Sequence, residues 1–184
     1  MLDTHELSRR PGTMREFARV VPAPADLGTA VIGIPEGSDL TVGLRLEAVM
    51  EGVLISGVVR GTAVGECVRC LDPVSEEVTV RVQELFGYAE RVHAAQEAGD
   101  DELEDEEAVL DGDLADLEPA VRDSVVTALP FQPLCRPDCP GLCSICGARL
   151  ADDPDHTHDV VDPRWSALQA VLEQTSTADE TKES

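Results

Sequence analysis

The chain has 184 residues, of which 37 are acidic and 14 are basic, giving a formal net charge of -23. A negative field of this size repels phosphate backbones, because nucleic-acid affinity comes largely from Lys and Arg side chains that displace counterions. The charge balance therefore disfavours direct RNA binding and favours a basic protein partner. Aromatic residues make up only 3% of the chain, so valine, leucine and alanine must fill the core.

The N-terminal sequence has no apolar stretch of signal-peptide length, and no segment reaches the roughly 18 apolar residues of a membrane span. We therefore expect a cytoplasmic protein without membrane contact. In a reducing compartment stable disulfides are uncommon, so closely spaced cysteines indicate a metal site first and thiol redox chemistry second.

The sequence of residues 1–30 predicts an irregular basic arm with one short helical segment. Pro22 and Pro24 break any longer helix in this segment. A solvated arm is the first interpretation of the segment, and a binding role is the second. The basic character comes from four arginines, Arg9, Arg10, Arg15 and Arg19.

Residues 31–130 predict a β-rich core. "LTVGLRLEAVM" (40–50) alternates apolar and polar side chains, the pattern of a half-buried strand. The β-branched and glycine-rich "VLISGVVRGTAVGEC" (53–67) predicts a strand or bulged pair that bends over the core, and "VTVRVQELF" (78–86) predicts a third strand. Short links indicate an antiparallel meander, which residues 31–34 extend toward a barrel.

An acidic loop interrupts this core at about residues 90–113. The stretch from Glu97 to Asp113 contains ten acidic residues and no basic residue, a density at which like charges do not pack together. A solubilising loop is the first interpretation, and a clamp for a basic partner or a mimic of nucleic acid is the second. A helix follows at about 116–129, where apolar residues recur at helical spacing before Pro130.

Residues 131–174 predict a Cys/His metal module that ends in a short helix over 162–174, and residues 175–184 predict a disordered tail. The cysteines of the chain and two of its histidines fall in three clusters. These are Cys67-x2-Cys70, then Cys135-x3-Cys139-x3-Cys143-x2-Cys146, then His156-x-His158.

A tetrahedral zinc site is the first interpretation of Cys143, Cys146, His156 and His158. A Cys-x-x-Cys-Gly turn directs two thiolates at one ion, and Gly147 permits the left-handed backbone that such a turn commonly needs. The two histidines share one face of an extended segment, because side chains repeat every second residue there. Zinc accepts both thiolate and imidazole ligands.

Cys135 and Cys139 are left over from this set. They could join Cys67 and Cys70 in a second, four-thiolate site that fastens the C-terminal module to the sheet. Alternatively, the four cysteines of residues 135–146 bind one ion and the histidines are bystanders.

Other chemistries fit the sequence less well. Thiol redox activity requires a thiolate with a lowered pKa, which acidic surroundings oppose. Four cysteines permit an iron–sulfur cluster, but no further feature favours one. The chain lacks a glycine-rich phosphate loop, a His-Glu-x-x-His motif and a nucleophile elbow. We therefore do not expect this protein to be an enzyme.

Five segments occur in the same order as in the YceD-like family, which the chain resembles over roughly residues 30–172. They are "ECVRCLDPV", the acidic insertion, "DLEPAVRDSVVTALP", "PLCRPDCPGLCSICGARL" and "DPRWSAL". The family is associated with accumulation of 23S ribosomal RNA, and its genes commonly lie beside that for a small zinc-ribbon protein of the large ribosomal subunit. Many members carry Cys-x-Cys where this chain has His156-x-His158, an exchange that preserves zinc ligation.

The resemblance implies a non-enzymatic factor for ribosomal RNA accumulation or large-subunit assembly, with one or two structural zinc ions. Arg69 and Arg164 match family motifs and are candidates for partner contacts, with structural salt bridges as the equal alternative. The charge favours a basic ribosomal protein as the partner. A zinc- or thiol-redox-responsive regulatory binding module is the alternative function.

These patterns together predict an α+β fold. It comprises a small antiparallel sheet or partial β-barrel, a covering helix, and a C-terminal zinc-knuckle module.

Overall fold

A computed structural model describes residues 1–92, 108–158, 163–165 and 168. It has two compact units, Met1–Cys139 and Pro140–Ser184. A covering helix, Glu118–Ala128, lies in the first unit, and a 3-10 turn, Pro163–Trp165, lies in the second. The strands in chain order are β1 (Leu2–Asp3), β2 (Met14–Pro22), β3 (Leu27–Gly28), β4 (Ile32–Ile34), β5 (Asp39–Ala48), β6 (Gly52–Glu66), β7 (Pro73–Gly87) and β8 (Leu114–Ala115).

Strand β6 organises the larger sheet. It pairs along its whole length with β7, from Gly52↔Gly87 to Glu66↔Pro73. Its other edge pairs first with β5 and then, further along, with β4. Strand β2 extends the sheet beyond β5, β3 extends it beyond β4, and every one of these pairings is antiparallel. The described chain is thus mostly antiparallel sheet with few helices, as the sequence pattern predicted.

The prediction of an irregular arm over residues 1–30 is wrong. Nine of these residues form β2, which pairs with β5 from Met14↔Glu47 to Pro22↔Asp39. The period-two pattern is hidden because Arg15 and Arg19 fall on the same face as Phe17. Long arginine stems can cover apolar surface at the margin of a sheet while their guanidinium groups stay in water.

The N-terminal residues before β2 are also ordered. Strand β1 pairs with β8 in a separate two-stranded sheet. The backbone N–H and the hydroxyl of Thr4 both donate to the carbonyl oxygen of Asp113, each at 2.8 Å. Contacts across more than a hundred residues of sequence fix this segment, which local sequence patterns do not reveal.

The boundary between the two units falls after Cys139, whereas the sequence pattern placed it at 130/131. The difference arises because Cys135 and Cys139 approach thiols of the sheet and so belong with the first unit. The described residues omit 93–107 of the predicted acidic loop, most of the predicted terminal helix and the predicted tail at 175–184.

The inner face of the sheet forms the core. It is lined by alternating side chains of β5, β6 and β7, and Ile55, Val59 and Phe86 are among its most buried members. The covering helix packs against β7 and β3 and buries Val125. The side chain of Asp116, just before the helix, accepts a hydrogen bond from the Glu118 N–H at 3.2 Å. None of the described helices has the length and apolar character needed to cross a membrane.

Strands β5 and β6 approach each other closely at Gly57. A Cβ atom at this position would overlap the carbonyl oxygen of Gly43 and lie 2.8 Å from the Leu44 Cα. We therefore expect Gly57→Ala to lower the free energy of unfolding by about 1–3 kcal/mol, the usual cost of overpacking. Urea denaturation measures the change.

Gly43→Ala is the matched control. The nearest atom to a Cβ at Gly43 is 4.0 Å away, so this substitution should change stability by less than about 0.5 kcal/mol. Equal losses in the two variants would show that close backbone approach is not the reason for glycine at position 57.

Candidate metal centres

The hairpin connection between β6 and β7 is a Cys-x-x-Cys turn, residues 67–72. The Cys67 N–H donates to the Asp72 carbonyl at 2.8 Å, and the Leu71 N–H donates to the Cys67 carbonyl at 2.9 Å. Leu71 has a φ of 61°, in the left-handed region that a leucine enters at a cost of about 1–2 kcal/mol. The turn thereby presents both thiols on one side of the hairpin tip.

A second Cys-x-x-Cys turn repeats this backbone pattern in the C-terminal unit. The Cys143 N–H donates to the Ala148 carbonyl at 2.8 Å, and the Gly147 N–H donates to the Cys143 carbonyl at 2.9 Å. Gly147 has a φ of 72°, as the Cys-x-x-Cys-Gly sequence predicted. The likeness of the first turn was not anticipated, because Leu71 stands where the second turn has glycine. The shared Cys-x-x-Cys spacing is the signal in the sequence that could have revealed this likeness.

Four thiols meet at the first turn. The Cys67 and Cys139 sulfurs are 3.8 Å apart, and the Cys70 and Cys135 sulfurs are 3.6 Å apart. All four sulfur atoms lie within 4.8 Å of one another. Cys135 is exposed and the other three cysteines are buried. The structure thus brings together the four residues that the sequence proposed as a second metal set.

The spacing of these sulfurs fits a tetrahedral metal site. Zinc–sulfur bonds of about 2.3 Å place sulfur atoms roughly 3.8 Å apart at the corners of a tetrahedron. A disulfide requires about 2.05 Å, and all six cysteines are free thiols. The donors present therefore suit zinc, with no position left open for a fifth group.

The pKa values of Cys67 and Cys70 are pushed apart. The backbone N–H of Cys135, followed by those of Arg69 and Cys70, lowers the pKa of Cys67 to about 6 in spite of burial. The backbone N–H of Asp72 lowers the pKa of Cys70, but burial and the neighbouring thiols outweigh it and raise that pKa to about 12. Such close thiols cannot all ionise by themselves, whereas a bound divalent cation stabilises them all as thiolates.

Arg69 joins the two segments that supply these thiols. Its Nη1 donates to the carbonyl oxygen of Cys139 at 2.9 Å. The adjacent Val68 N–H donates to the Pro133 carbonyl at 3.0 Å. Arg69, a candidate for a partner contact, therefore has a structural bond inside the first unit. Arg164, the other candidate, lies exposed in the 3-10 turn of the second unit.

The second group consists of Cys143, Cys146, His156 and His158, the four residues that the sequence proposed as the first metal set. The Cys146 sulfur is 3.2 Å from Nε2 of each histidine, and the two Nε2 atoms are 2.8 Å apart. All four donor atoms lie within 4.8 Å of one another. Two thiols and two imidazoles are a donor set that zinc accepts.

Two further contacts favour metal ligation at this group. The backbone N–H groups of Cys146 and Ile145 lower the pKa of Cys143 to about 6, which favours the thiolate. The Nδ1 atom of His156 faces the Asp153 carboxylate at 3.7 Å, while its Nε2 faces the thiols. Metal-bound histidines commonly turn their second nitrogen to a carboxylate in this way.

The two groups differ in their access to solvent. Three of four ligands are buried in the four-thiol group, whereas Cys146 and His158 are exposed and Cys143 and His156 are half-buried. The first group is part of the core of its unit, and the second lies at the surface of its own unit.

Comparison with known proteins agrees with these features. The family model described as "Large ribosomal RNA subunit accumulation protein YceD" matches residues 55–172. The chain belongs to the YceD family. The family resemblance read from the sequence motifs is thereby confirmed, and all eight candidate ligands lie within the matched residues.

Mycobacterial relatives extend the likeness over most of the chain. Proteins named as uncharacterized in Mycobacterium tuberculosis and Mycobacterium bovis are each 45% identical over 173 residues, which is 93% of this chain and 80% of theirs. One from Mycobacterium leprae is 39% identical over 175 residues, 94% of this chain and 77% of its own. No solved structure matches this YceD-family chain.

Serine substitutions should separate the two metal groups. We expect the intact protein to bind one zinc ion at each group, and Cys67→Ser and Cys143→Ser each to lose one ion. Cys67→Ser should also lower the unfolding temperature more, because Cys67 is 0% exposed and serine buries a polar hydroxyl group at this position. Metal analysis per chain and thermal unfolding measure these outcomes.

Ser144→Ala, an exposed position inside the second turn, is the control and should retain both ions. A single ion that persists in both Cys67→Ser and His156→Ala would contradict the two groups. That result would instead support one site made by the four cysteines of residues 135–146.

Proposed function

We propose that the protein is a non-enzymatic cytoplasmic factor that supports accumulation of large-subunit ribosomal RNA by engaging a basic ribosomal protein. The observation that carries the proposal is the family match, whose description names accumulation of the large ribosomal RNA. The match spans the long β6–β7 hairpin and both candidate metal groups.

The charge of the chain supports a basic protein as the partner. Ten acidic residues and no basic residue lie between Glu97 and Asp113. Nearby described residues add exposed carboxylates at Glu90, Asp116 and Glu118. A field of one sign steers an oppositely charged partner and raises its association rate. Holding or delivering a ribosomal protein is the mechanism that this charge distribution in the sequence fits.

The metal groups support a structural role for the bound ions. Cys67, Cys70, Cys135 and Cys139 would hold one zinc ion, and Cys143, Cys146, His156 and His158 would hold the other. Four protein ligands leave no open coordination position of the kind that catalytic zinc keeps. Zinc bound in such closed sets supplies folding energy, which supports a non-enzymatic protein.

Neutralising the acidic segment should weaken the proposed activity. We expect Glu102, Glu104, Glu106 and Glu107, changed together to Gln, to reduce capture of ribosomal proteins by on the order of tenfold at physiological salt. The probe is a pool of RNA-free large-subunit ribosomal proteins. In cells depleted of the native protein, this variant should restore the ratio of large to small ribosomal RNA less well than the unchanged chain.

The control carries the same charge change elsewhere on the first unit. It replaces four exposed acids with their amides at Glu36, Asp39, Glu51 and Glu66, and we expect it to behave as the unchanged chain. Unchanged capture by the Glu102/Glu104/Glu106/Glu107 variant would refute the electrostatic mechanism. An unaltered ribosomal RNA ratio on depletion would refute the proposed function itself.

A zinc- or redox-responsive regulatory module is the second candidate function. The surface position of the Cys2His2 group favours it, because exposed thiols and imidazoles are open to chelators and oxidants. A mild chelator should then remove the ion of this group first and change partner capture while the sheet stays folded, as judged by circular dichroism. Unfolding of the C-terminal unit with no specific change in partner capture would show that the ion of this group is structural and not regulatory.

A further inference from the structure

The outer face of the sheet carries a group of arginines in an acidic chain. This outer face consists of the residues of β2, β5, β6 and β7 that alternate with the buried core positions. Arg45 of β5, Arg60 of β6 and Arg81 of β7 all lie on it and are all exposed. These three side chains lie on the side of the sheet opposite the core and the covering helix.

The register places these three arginines around one residue, Val58. Val58 pairs with Arg81 on one side and with Gly43 on the other. Arg60 lies two residues further along β6, and Arg45 lies two residues beyond Gly43 on β5. Direct and diagonal neighbours in a sheet are about 5–8 Å apart, so three long guanidinium side chains can reach one ligand above Val58.

The surface at the centre of this group is open. Gly43 has no side chain, and a Cβ built there would meet no atom closer than 4.0 Å. The cross-strand partners of Arg60 are Thr41 and Thr79, which are small and polar. Hydroxyl groups of this kind can add hydrogen bonds to a ligand oxygen.

Two of the three guanidinium groups have no acidic partner. Arg60 and Arg81 make no ion pair with any residue that the structure describes, whereas Arg45 pairs with Glu47 at 3.2 Å. Three other arginines of the first unit, Arg9, Arg15 and Arg122, are paired with carboxylates. In a chain with 37 acidic residues, neutral residues opposite Arg60 and Arg81 leave positive charge available to an outside anion.

We infer that this arginine group binds the phosphate backbone of RNA. Guanidinium groups bind phosphate oxygens through paired hydrogen bonds. Three guanidinium groups around one point match the repeated phosphates of RNA better than they match a single carboxylate. The inference rests on the proposed role in ribosomal RNA accumulation, which supplies RNA as the anion. It adds an RNA-binding surface to a protein whose acidic segment is proposed to engage a basic partner.

The net charge of -23 does not prevent this contact. At physiological salt, charges further than about 8 Å apart are largely screened from each other. Contacts between a guanidinium group and a phosphate act well inside that distance, so the three arginines around Val58 act locally. The acidic residues of the same face lie outside the positions that surround Val58; they are Glu16, Asp39, Glu47, Glu66 and Glu77. The net charge of the whole chain therefore does not decide whether this group of arginines binds RNA.

The composition of the outer face also sets its selectivity. None of its residues on these four strands is aromatic, so it offers no aromatic platform on which bases could stack. Contacts to phosphate position a nucleic acid but carry no sequence information. We therefore expect binding that depends on salt and does not discriminate between base sequences.

The test compares RNA binding by the full-length zinc-loaded protein and by Arg60→Gln/Arg81→Gln. Fluorescence anisotropy with labelled polyuridylate at several salt concentrations gives the affinities. The double variant should bind on the order of tenfold more weakly, and the slope of log affinity against log salt should become shallower by about 1.4, or about 0.7 for each lost contact. Polyadenylate should bind the unchanged protein with the same affinity as polyuridylate.

Arg10→Gln is the matched control, because Arg10 is an exposed arginine outside the sheet. The inference is overturned if polyuridylate does not bind the unchanged protein, if the double variant binds as the unchanged protein does, or if Arg10→Gln weakens binding equally. Tighter capture of polyglutamate than of RNA through Arg60 and Arg81 would assign the face to an acidic protein and also overturn it. Ribosomal-protein capture by the double variant, measured in parallel, tests the proposed function separately and should be unchanged.

Discussion

The arrangement of the first unit depends on four thiols that converge at the tip of the β6–β7 hairpin. Two of them, Cys67 and Cys70, are fixed by a turn whose backbone bonds are formed within six residues. The other two, Cys135 and Cys139, arrive from a segment that lies beyond the covering helix. Four sulfurs within 4.8 Å cannot all be thiolates without a cation between them, so this group is suited to a metal ion.

This constraint explains why the long hairpin can end in a strained turn. Leu71 adopts a left-handed backbone that glycine adopts more easily, and the hydrogen bonds of the turn together with the Arg69–Cys139 contact hold it there. The second turn reaches the same geometry at lower cost with Gly147. Both turns thus present a pair of thiols, and they differ in the backbone strain that this presentation requires.

The surfaces of the first unit divide its charges. Carboxylates dominate the sequence that leads into the covering helix, while the direct cross-strand partners of Arg60 and Arg81 on the outer face of the sheet are neutral. The β5–β6–β7 register brings the three arginines to one face, because alternate residues of a strand point to opposite faces. A rigid sheet can therefore present positive charge to RNA while the acidic segment engages a basic protein, the two contacts that we propose for a factor in ribosomal RNA accumulation.

The sequence by itself determined the β5–β6–β7 meander, the position of the covering helix and the division of the ligands into thiol and imidazole pairs. These depend on local periodicity and spacing, which a single segment carries. Only the tertiary structure showed β2, since Arg15 and Arg19 hide its alternation. The sequence left two possible ligand sets for Cys135 and Cys139, and only the tertiary structure favoured their grouping with Cys67 and Cys70. The arginine group around Val58 likewise comes from register across three strands, because contacts between distant segments depend on how the whole chain packs.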